Sequence, residues 1–137
     1  MTPEALAALH ARCFTMPRPW SAAEFAALLA SKGVFLQSTT AGFALGSEIA
    51  GESELLTLAV DPALQHQGHG RRLLTAFEAE SRKRGATEAL LEVAATNTGA
   101  RTLYESTGYR ESGRRALYYT PPQGEKIDAI LMRKALI

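Results

Sequence analysis

Leu55-Leu56-Thr57-Leu58-Ala59-Val60-Asp61-Pro62, followed two residues later by Gln65-His66-Gln67-Gly68-His69-Gly70-Arg71-Arg72, is the stretch whose reading decides the fold. Its first half is an apolar run of strand length that stops at Asp61-Pro62. Its second half is a polar loop that opens a long amphipathic helix, Gly70 to Arg84. There Leu73, Leu74 and Phe77 form one face, charges cover the other, and Gly85 suits the position just past the helix end. A helix entered this way offers unpaired backbone N–H groups and the positive end of its dipole. Gly68 and Gly70 leave no Cβ between the main chain and an approaching phosphate. The segment predicts an anion cradle.

Two other phosphate loops do not fit. A dinucleotide fingerprint needs G-x-G-x-x-G, and Leu73 stands where the third glycine belongs. A P-loop needs G-x-x-x-x-G-K-[ST], a string that occurs nowhere in the chain. Taken by itself, Gln65-x-x-Gly68-x-Gly70 is also compatible with an ordinary strand-to-helix turn.

Outward from this stretch, the elements alternate. Toward the N-terminus, Pro3 to Phe14 reads as a first helix, with Leu6, Leu9 and Cys13 at helical spacing and Cys13 expected in the core. Ser21-Ala22-Ala23-Glu24 has the form of a capping box and starts a second helix that runs to about Gly33. Val34 to Gln37, Gly42 to Glu48 and Glu54 to Val60 read as strands of an antiparallel meander. Toward the C-terminus, Ala89 to Ala94 is a buried strand. Asn97 caps a helix from Thr98 to Thr107 that stops at Gly108. Tyr109 to Ser112, Ala116 to Tyr119 and Asp128 to Arg133 are the remaining strands. The order predicts a mixed α/β (α+β) architecture, a sheet with helices on both faces.

The 137 residues suit one domain spanning 1–137. At 46% hydrophobic and 21% charged, the composition is that of a globular protein and not of a disordered or low-complexity chain. Fifteen Lys and Arg against 14 Asp and Glu leave a net charge of +1, which argues against nucleic acid or anionic lipid as the partner of the whole molecule. Residues 1–60 hold three basic and five acidic side chains and residues 61–137 hold twelve and nine, so an anionic ligand belongs with the second part. One cysteine allows no internal disulfide. His66 and His69 lack the partners a metal site needs, so no metal is expected. With no secretory leader and no run of 18 apolar residues, the expected location is the cytoplasm, away from membranes.

The succession Val60-Asp61-Pro62, Q-x-x-G-x-G and amphipathic helix resembles the acetyl-CoA pyrophosphate loop of the GCN5-related N-acetyltransferases. Leu91-Glu92-Val93, Asn97 and Leu103-Tyr104-Glu105-Ser106-Thr107-Gly108-Tyr109 resemble that superfamily's second CoA-binding segment, in matching order and spacing. Within it, the chain is most similar to bacterial enzymes that acetylate the N-terminal alanine of a ribosomal protein. That likeness extends to Pro19-Trp20-Ser21, Arg114-Arg115, Tyr118-Tyr119 and Asp128 to Met132. It implies the acetyl-CoA N-acyltransferase fold, with a central, mostly antiparallel sheet. Members open with a strand before the first helix, whereas here Met1 almost coincides with that helix, so either the sheet lacks its first edge strand or the given start is late.

The resemblance implies roles. Glu92 would be the general base, acting through water on an α-amine whose pKa is about 8, and Tyr104 the general acid for the departing sulfur. Leu58, Ala59 and Val60 would line the pantetheine, with the Val60 N–H as oxyanion donor on a strand that splays from its neighbour. Main-chain groups around Gln65, His66, Gln67, Gly68, His69, Gly70 and Arg71 would hold the pyrophosphate, and Asn97 would touch the pantetheine arm. Trp20, Tyr118 and Tyr119 would line the acceptor groove. Glu48, Glu52 and Glu54 are expected on solvated surface, with attraction of a basic peptide as the functional alternative. No enzyme nucleophile is required, because the amine can attack the thioester directly in a ternary complex. The acceptor would be a ribosomal protein N-terminus, with acetyl-CoA as the cosubstrate and a monomer favoured. Two alternatives stay open: a lysine or small-molecule amine as acceptor, and a CoA-binding sensor without catalysis.

Overall fold

The computed structural model describes residues 1–15 and 18–137. Two of its helices begin where the sequence supplies a side-chain oxygen. Thr2 Oγ1 accepts from the Ala5 N–H at 3.1 Å and starts α1 (Pro3–Cys13). Ser21 and Glu24 close the capping box of α2 (Ala22–Leu29), each side chain accepting from the other's backbone N–H, at 3.1 and 3.0 Å. The strands β1 (Val34–Ser38), β2 (Gly42–Ile49) and β3 (Glu52–Val60) follow, then a short 3-10 turn over Pro62–Leu64. Next come α3 (His69–Lys83), β4 (Glu88–Ala94), α4 (Thr98–Ser106), β5 (Arg110–Tyr119) and β6 (Ile127–Ala135). Among the described residues, no helix is long and apolar enough to cross a membrane.

The strands form one six-stranded sheet in the order β1-β2-β3-β4-β6-β5. Every neighbouring pair is antiparallel except β3 and β4, which are parallel and joined by a crossover through α3. On one face, Leu6 and Leu9 of α1 and Phe25 of α2 pack on Phe43, Leu45 and Ala59. On the other, Leu73, Leu74 and Phe77 of α3 pack on Ala44, Leu55 and Leu91. The expected mixed, mostly antiparallel sheet with helices on both faces is what forms. β1 closes one edge, and among the described residues no strand precedes α1.

Two boundaries differ from expectation. The second helix ends at Leu29, about a turn before Gly33, which instead turns the chain into β1 at φ +82°. The strands expected at 109–112 and 116–119 are one strand, β5, and Tyr109 lies just before it in the core. Ser112-Gly113 reads as a break because glycine and serine mark turns. On an edge strand the surplus residue is absorbed as a bulge: Glu111 pairs with Met132 and Gly113 with Leu131. A second irregularity between Arg115 and Tyr119 holds Leu117 at φ +52°, with its N–H bound to Asp128 Oδ1 at 2.9 Å.

The feature that positions the site is in β3. Leu45 of β2 pairs with Thr57 and Gly46 with Leu55, so Leu56 is an extra residue, a bulge that bends β3. Parallel pairing with β4 stops at the same point, its last pair being Leu55 and Leu91. From there Leu56 to Val60 stays bonded to β2 and leaves β4. The Asp61 N–H donates to the Ala41 carbonyl at 2.7 Å, which sets the alternation of the antiparallel ladder. The main-chain groups of Leu58 and Val60 therefore point away from β2, into the opening.

Candidate active site

Two cavities meet at this opening. The larger, a cleft of 710 Å³, lies between β3, the loop into α3, and α4. Gly68 is the N-cap of α3, at φ +83°, and contributes no side-chain cap, so the first N–H groups of the helix have no capping oxygen. His66 just before it is also left-handed, at φ +63°. Alternation of this kind turns successive N–H groups to one side, the geometry that favours an anion. Gly70 has a different reason for being glycine. A Cβ there would stand 3.2 Å from Leu103 Cδ2, so its absence lets α3 approach α4. Arg71 completes that contact by donating to Ser106 Oγ at 2.8 Å.

Of the residues expected to hold a CoA-like ligand, Leu58, Ala59, Val60, Gln65, His66, Gly68, His69, Gly70, Arg71, Asn97 and Tyr104 line this cleft. Gln67 does not; its carbonyl accepts from Arg72 at 3.0 Å and shapes the loop from behind. Asn97 caps α4, its Oδ1 accepting from the Ala100 N–H at 3.2 Å, and it also lines both cavities. Cys13, expected in the core, is only half-buried and lines the cleft. Its Sγ donates to the Val60 carbonyl at 3.2 Å, and burial pushes its thiol pKa up, so it stands there as a protonated donor.

The smaller cavity, 300 Å³, lies on the α1 and α2 side and brings together Glu92, Tyr104, Trp20, Tyr118 and Tyr119. Tyr104 belongs to both cavities and marks their junction. It is 7% exposed, and burial raises its phenol above the ordinary tyrosine value, so it remains a donor throughout the neutral range. Glu92 carries the opposite property: its Oε1 is buried with no hydrogen-bond partner among the described residues. Tyr119 faces that carboxylate, and burial together with the facing charge pushes its phenol up to about 12. Tyr118 stacks edge-on to Tyr119 at 5.2 Å and lies under the Arg115 guanidinium at 5.1 Å.

Three other lining residues bear on the site. Glu54, expected on solvated surface, is half-buried in this cavity, and burial, then the nearby Glu92 and Glu52, raises its carboxyl pKa. Its place follows from the parallel register, which pairs Glu54 with Leu90 and so sets it two residues short of Glu92 on the same face. Period-two alternation with Leu56 and Leu58 was the available signal, and the bulge obscured it. Phe14 lines both cavities. His10 is 1% exposed and forms part of the wall of the smaller one.

An opening that exposes the edge of a strand, an uncapped helix N-terminus beside it, and an acid and a base on the far side together suit acyl transfer from an extended thioester. The family model for the acetyltransferase (GNAT) family matches residues 4–109. A [ribosomal protein bS18]-alanine N-acetyltransferase of Escherichia coli (strain K12) is 40% identical over 118 residues, covering 83% of this chain and 79% of that protein. The one from Haemophilus ducreyi is 38% identical over 96 residues, covering 70% and 66%. The crystal structure of the ribosomal-protein-S18-alanine N-acetyltransferase from Escherichia coli superimposes with a TM-score of 0.85 at 34% identity, over 98% of this chain and 87% of that one. With a family model that spans most of its length, relatives near 40% identity and a matching fold, the chain belongs to the acetyltransferase (GNAT) family.

Proposed function

We propose that this acetyltransferase moves the acetyl group of acetyl-CoA to a protein N-terminal α-amine, with the N-terminal alanine of ribosomal protein bS18 as the favoured acceptor. The observation that carries the reading is the meeting of the two cavities at Tyr104, with Glu92 on the acceptor side and the uncapped α3 N-terminus on the donor side. The bS18 acceptor is drawn from the names of the relatives, which the chain matches over most of its length. Such an acceptor places the work in the cytoplasm. Both cavities are lined within a single chain, so a monomer suffices.

The α3 N-terminus and the glycine loop hold the pyrophosphate through backbone N–H groups, and the free edge of Leu58 and Val60 pairs with the pantetheine arm. An α-amine with a pKa near 8 arrives largely as ammonium. The carboxylates of Glu54 and Glu92, with the faces of Trp20, Tyr118 and Tyr119, suit that cation. Glu92 removes the proton through water. The amine nitrogen then bonds to the thioester carbon, and the charge that develops on the carbonyl oxygen falls to the Val60 N–H, a kind of contact worth about 2.7–4 kcal/mol. As the C–S bond breaks, the thiolate takes its proton from Tyr104. The acylated nitrogen sheds its second proton to solvent, the first leaves from Glu92 to solvent, and Tyr104 recovers one from solvent, so one proton is released per turnover.

Acetylation of peptides that differ only in their first residue, Ala against Ser, Gly and Met, tests the reading, with an N-blocked lysine peptide alongside. The expected product carries acetyl on the α-nitrogen, with Ala preferred. Acetyl found on lysine Nε alone would overturn the acceptor assignment. Tight acetyl-CoA binding without turnover on any amine would overturn catalysis.

A further inference from the structure

We propose that His10 is a positioning residue for the acceptor: its two ring nitrogens fix opposite walls of the smaller cavity, Trp20 on one side and β3 at Thr57 on the other. The inference rests on the reading of that cavity as the acceptor pocket. The geometry is specific. The Trp20 backbone N–H donates to His10 Nδ1 at 3.0 Å, and His10 Nε2 lies 3.0 Å from Thr57 Oγ1. Because Nδ1 accepts, the ring proton sits on Nε2 and is donated to the threonine.

A histidine buried to 1% exposure is unusual unless its nitrogens are needed. A phenylalanine would fill the same aromatic nest, in which the ring stacks on Phe14 at 4.4 Å and on Trp20 at 5.1 Å and meets the edge of Phe25 at 5.4 Å. Packing alone therefore does not call for an imidazole. What the imidazole adds is two directed bonds at the wall of this cavity, where the other polar tie from α1 to β3, Cys13 Sγ to the Val60 carbonyl, lies at the far end of the strand. One ends on the segment that carries Trp20 into α2. The other ends on the residue between Leu56, the bulge, and Leu58, the exposed strand edge. Burial lowers the His10 pKa to about 4, against a smaller opposing effect of Glu24, so the ring stays neutral and keeps this tautomer at neutral pH.

The test compares His10→Phe, which keeps the ring and loses both bonds, with His10→Asn, whose amide oxygen can take the place of Nδ1. Two neutral buried hydrogen bonds correspond to about a tenfold effect. His10→Phe is expected to raise the KM for an alanine-initiated peptide about tenfold, leaving the KM for acetyl-CoA and kcat within about twofold. His10→Asn should recover most of the loss. If His10→Phe does not fold, Thr57→Val removes one bond and should raise the acceptor KM by about threefold. Trp20 is the only tryptophan, so acrylamide quenching of its emission reads the wall without catalysis. Quenching should rise in His10→Phe, or in Thr57→Val if that variant must serve, and fall back toward wild type in His10→Asn. An unchanged acceptor KM with unchanged quenching, or an equal loss for both substrates, overturns the inference. Wild type that acetylates no α-amine overturns the functional reading instead, and quenching then decides His10 separately.

Discussion

Glu78 and Glu92 look alike in the sequence, one between Phe77 and Ala79, the other between Leu91 and Val93, and the fold buries carboxylate oxygen of both. Their surroundings differ in what meets the carboxylate. Glu78 on α3 is met by Lys134 from β6, whose Nζ lies 2.9 and 3.0 Å from its two oxygens and 5.6 Å over the Tyr109 ring. Glu92 on β4 has one oxygen, Oε1, buried with no hydrogen-bond partner among the described residues. A buried carboxylate with a cation is a strut, because its charge is already neutralised. One without a cation is free to take a proton or to meet an ammonium. The partner, not the local sequence, separates the two roles.

The sharpest way to break this comparison is Glu92→Gln. Loss of a general base is worth about 10²–10⁴ in rate, so kcat should fall by that order with little change in the affinity for acetyl-CoA measured by calorimetry. Thermal stability should hold or rise, since Oε1 has no hydrogen bond to lose among the described residues. A matching loss of stability would make Glu92 a strut like Glu78.

Glu78→Gln is the mirror experiment. It strands Lys134, and breaking a buried pair of this kind costs about 3–5 kcal/mol; with the lysine 21% exposed, about 3 kcal/mol is expected in denaturant unfolding. The kcat/KM at 25 °C should stay within about twofold. Replacing both partners with apolar residues, Glu78→Leu with Lys134→Met, should recover most of the stability.

His10 extends the comparison to a buried group that stays neutral. Its folded pKa of about 4 lies below the ordinary histidine value of 6.5, so on acidification the unfolded chain takes up the proton first. Stability should be full above about pH 6.5 and decline toward pH 4, by up to about 3 kcal/mol at ~1.4 kcal/mol per unit. The difference between wild type and His10→Phe in melts across that range isolates it, and a difference that does not vary with pH would refute the buried neutral ring.

Glu54 gives the smallest effect. Its folded pKa is raised, chiefly by burial and then by Glu92, so the folded state disfavours its charge once pH exceeds the ordinary glutamate value. Glu54→Gln should therefore raise the melting temperature at pH 7 and leave it nearly unchanged at pH 4. An equal shift at both would mean that the carboxylate is simply solvated.

What the sequence made legible follows the range of each interaction. The capping box at Ser21, the cap at Asn97 and the loop into α3 depend on residues a few positions apart, and each formed as expected. The gathering of Glu92, Tyr104, Trp20, Tyr118 and Tyr119 around one cavity was legible through resemblance, since no local pattern relates them. Glu54 and His10 were not legible, because their roles depend on the β3–β4 register and on a contact 47 residues distant in the chain. β5 was misdivided at Ser112-Gly113 because local rules treat glycine as a stop, whereas an edge strand tolerates the extra residue. Cys13 fits the apolar spacing of α1 yet lies at its open end, where helical periodicity carries no information about what stands opposite.

The bulge at Leu56 also couples occupancy to rigidity. A ligand lying along Leu58 and Val60 acts as a surrogate strand, bridging two halves of the sheet that the extra residue has pried apart. Saturation at a hundred times Kd would add about 2.7 kcal/mol to the whole domain. Much of that tightening would fall on the seam itself, so the amides slowest to exchange in the complex would include those most open without it.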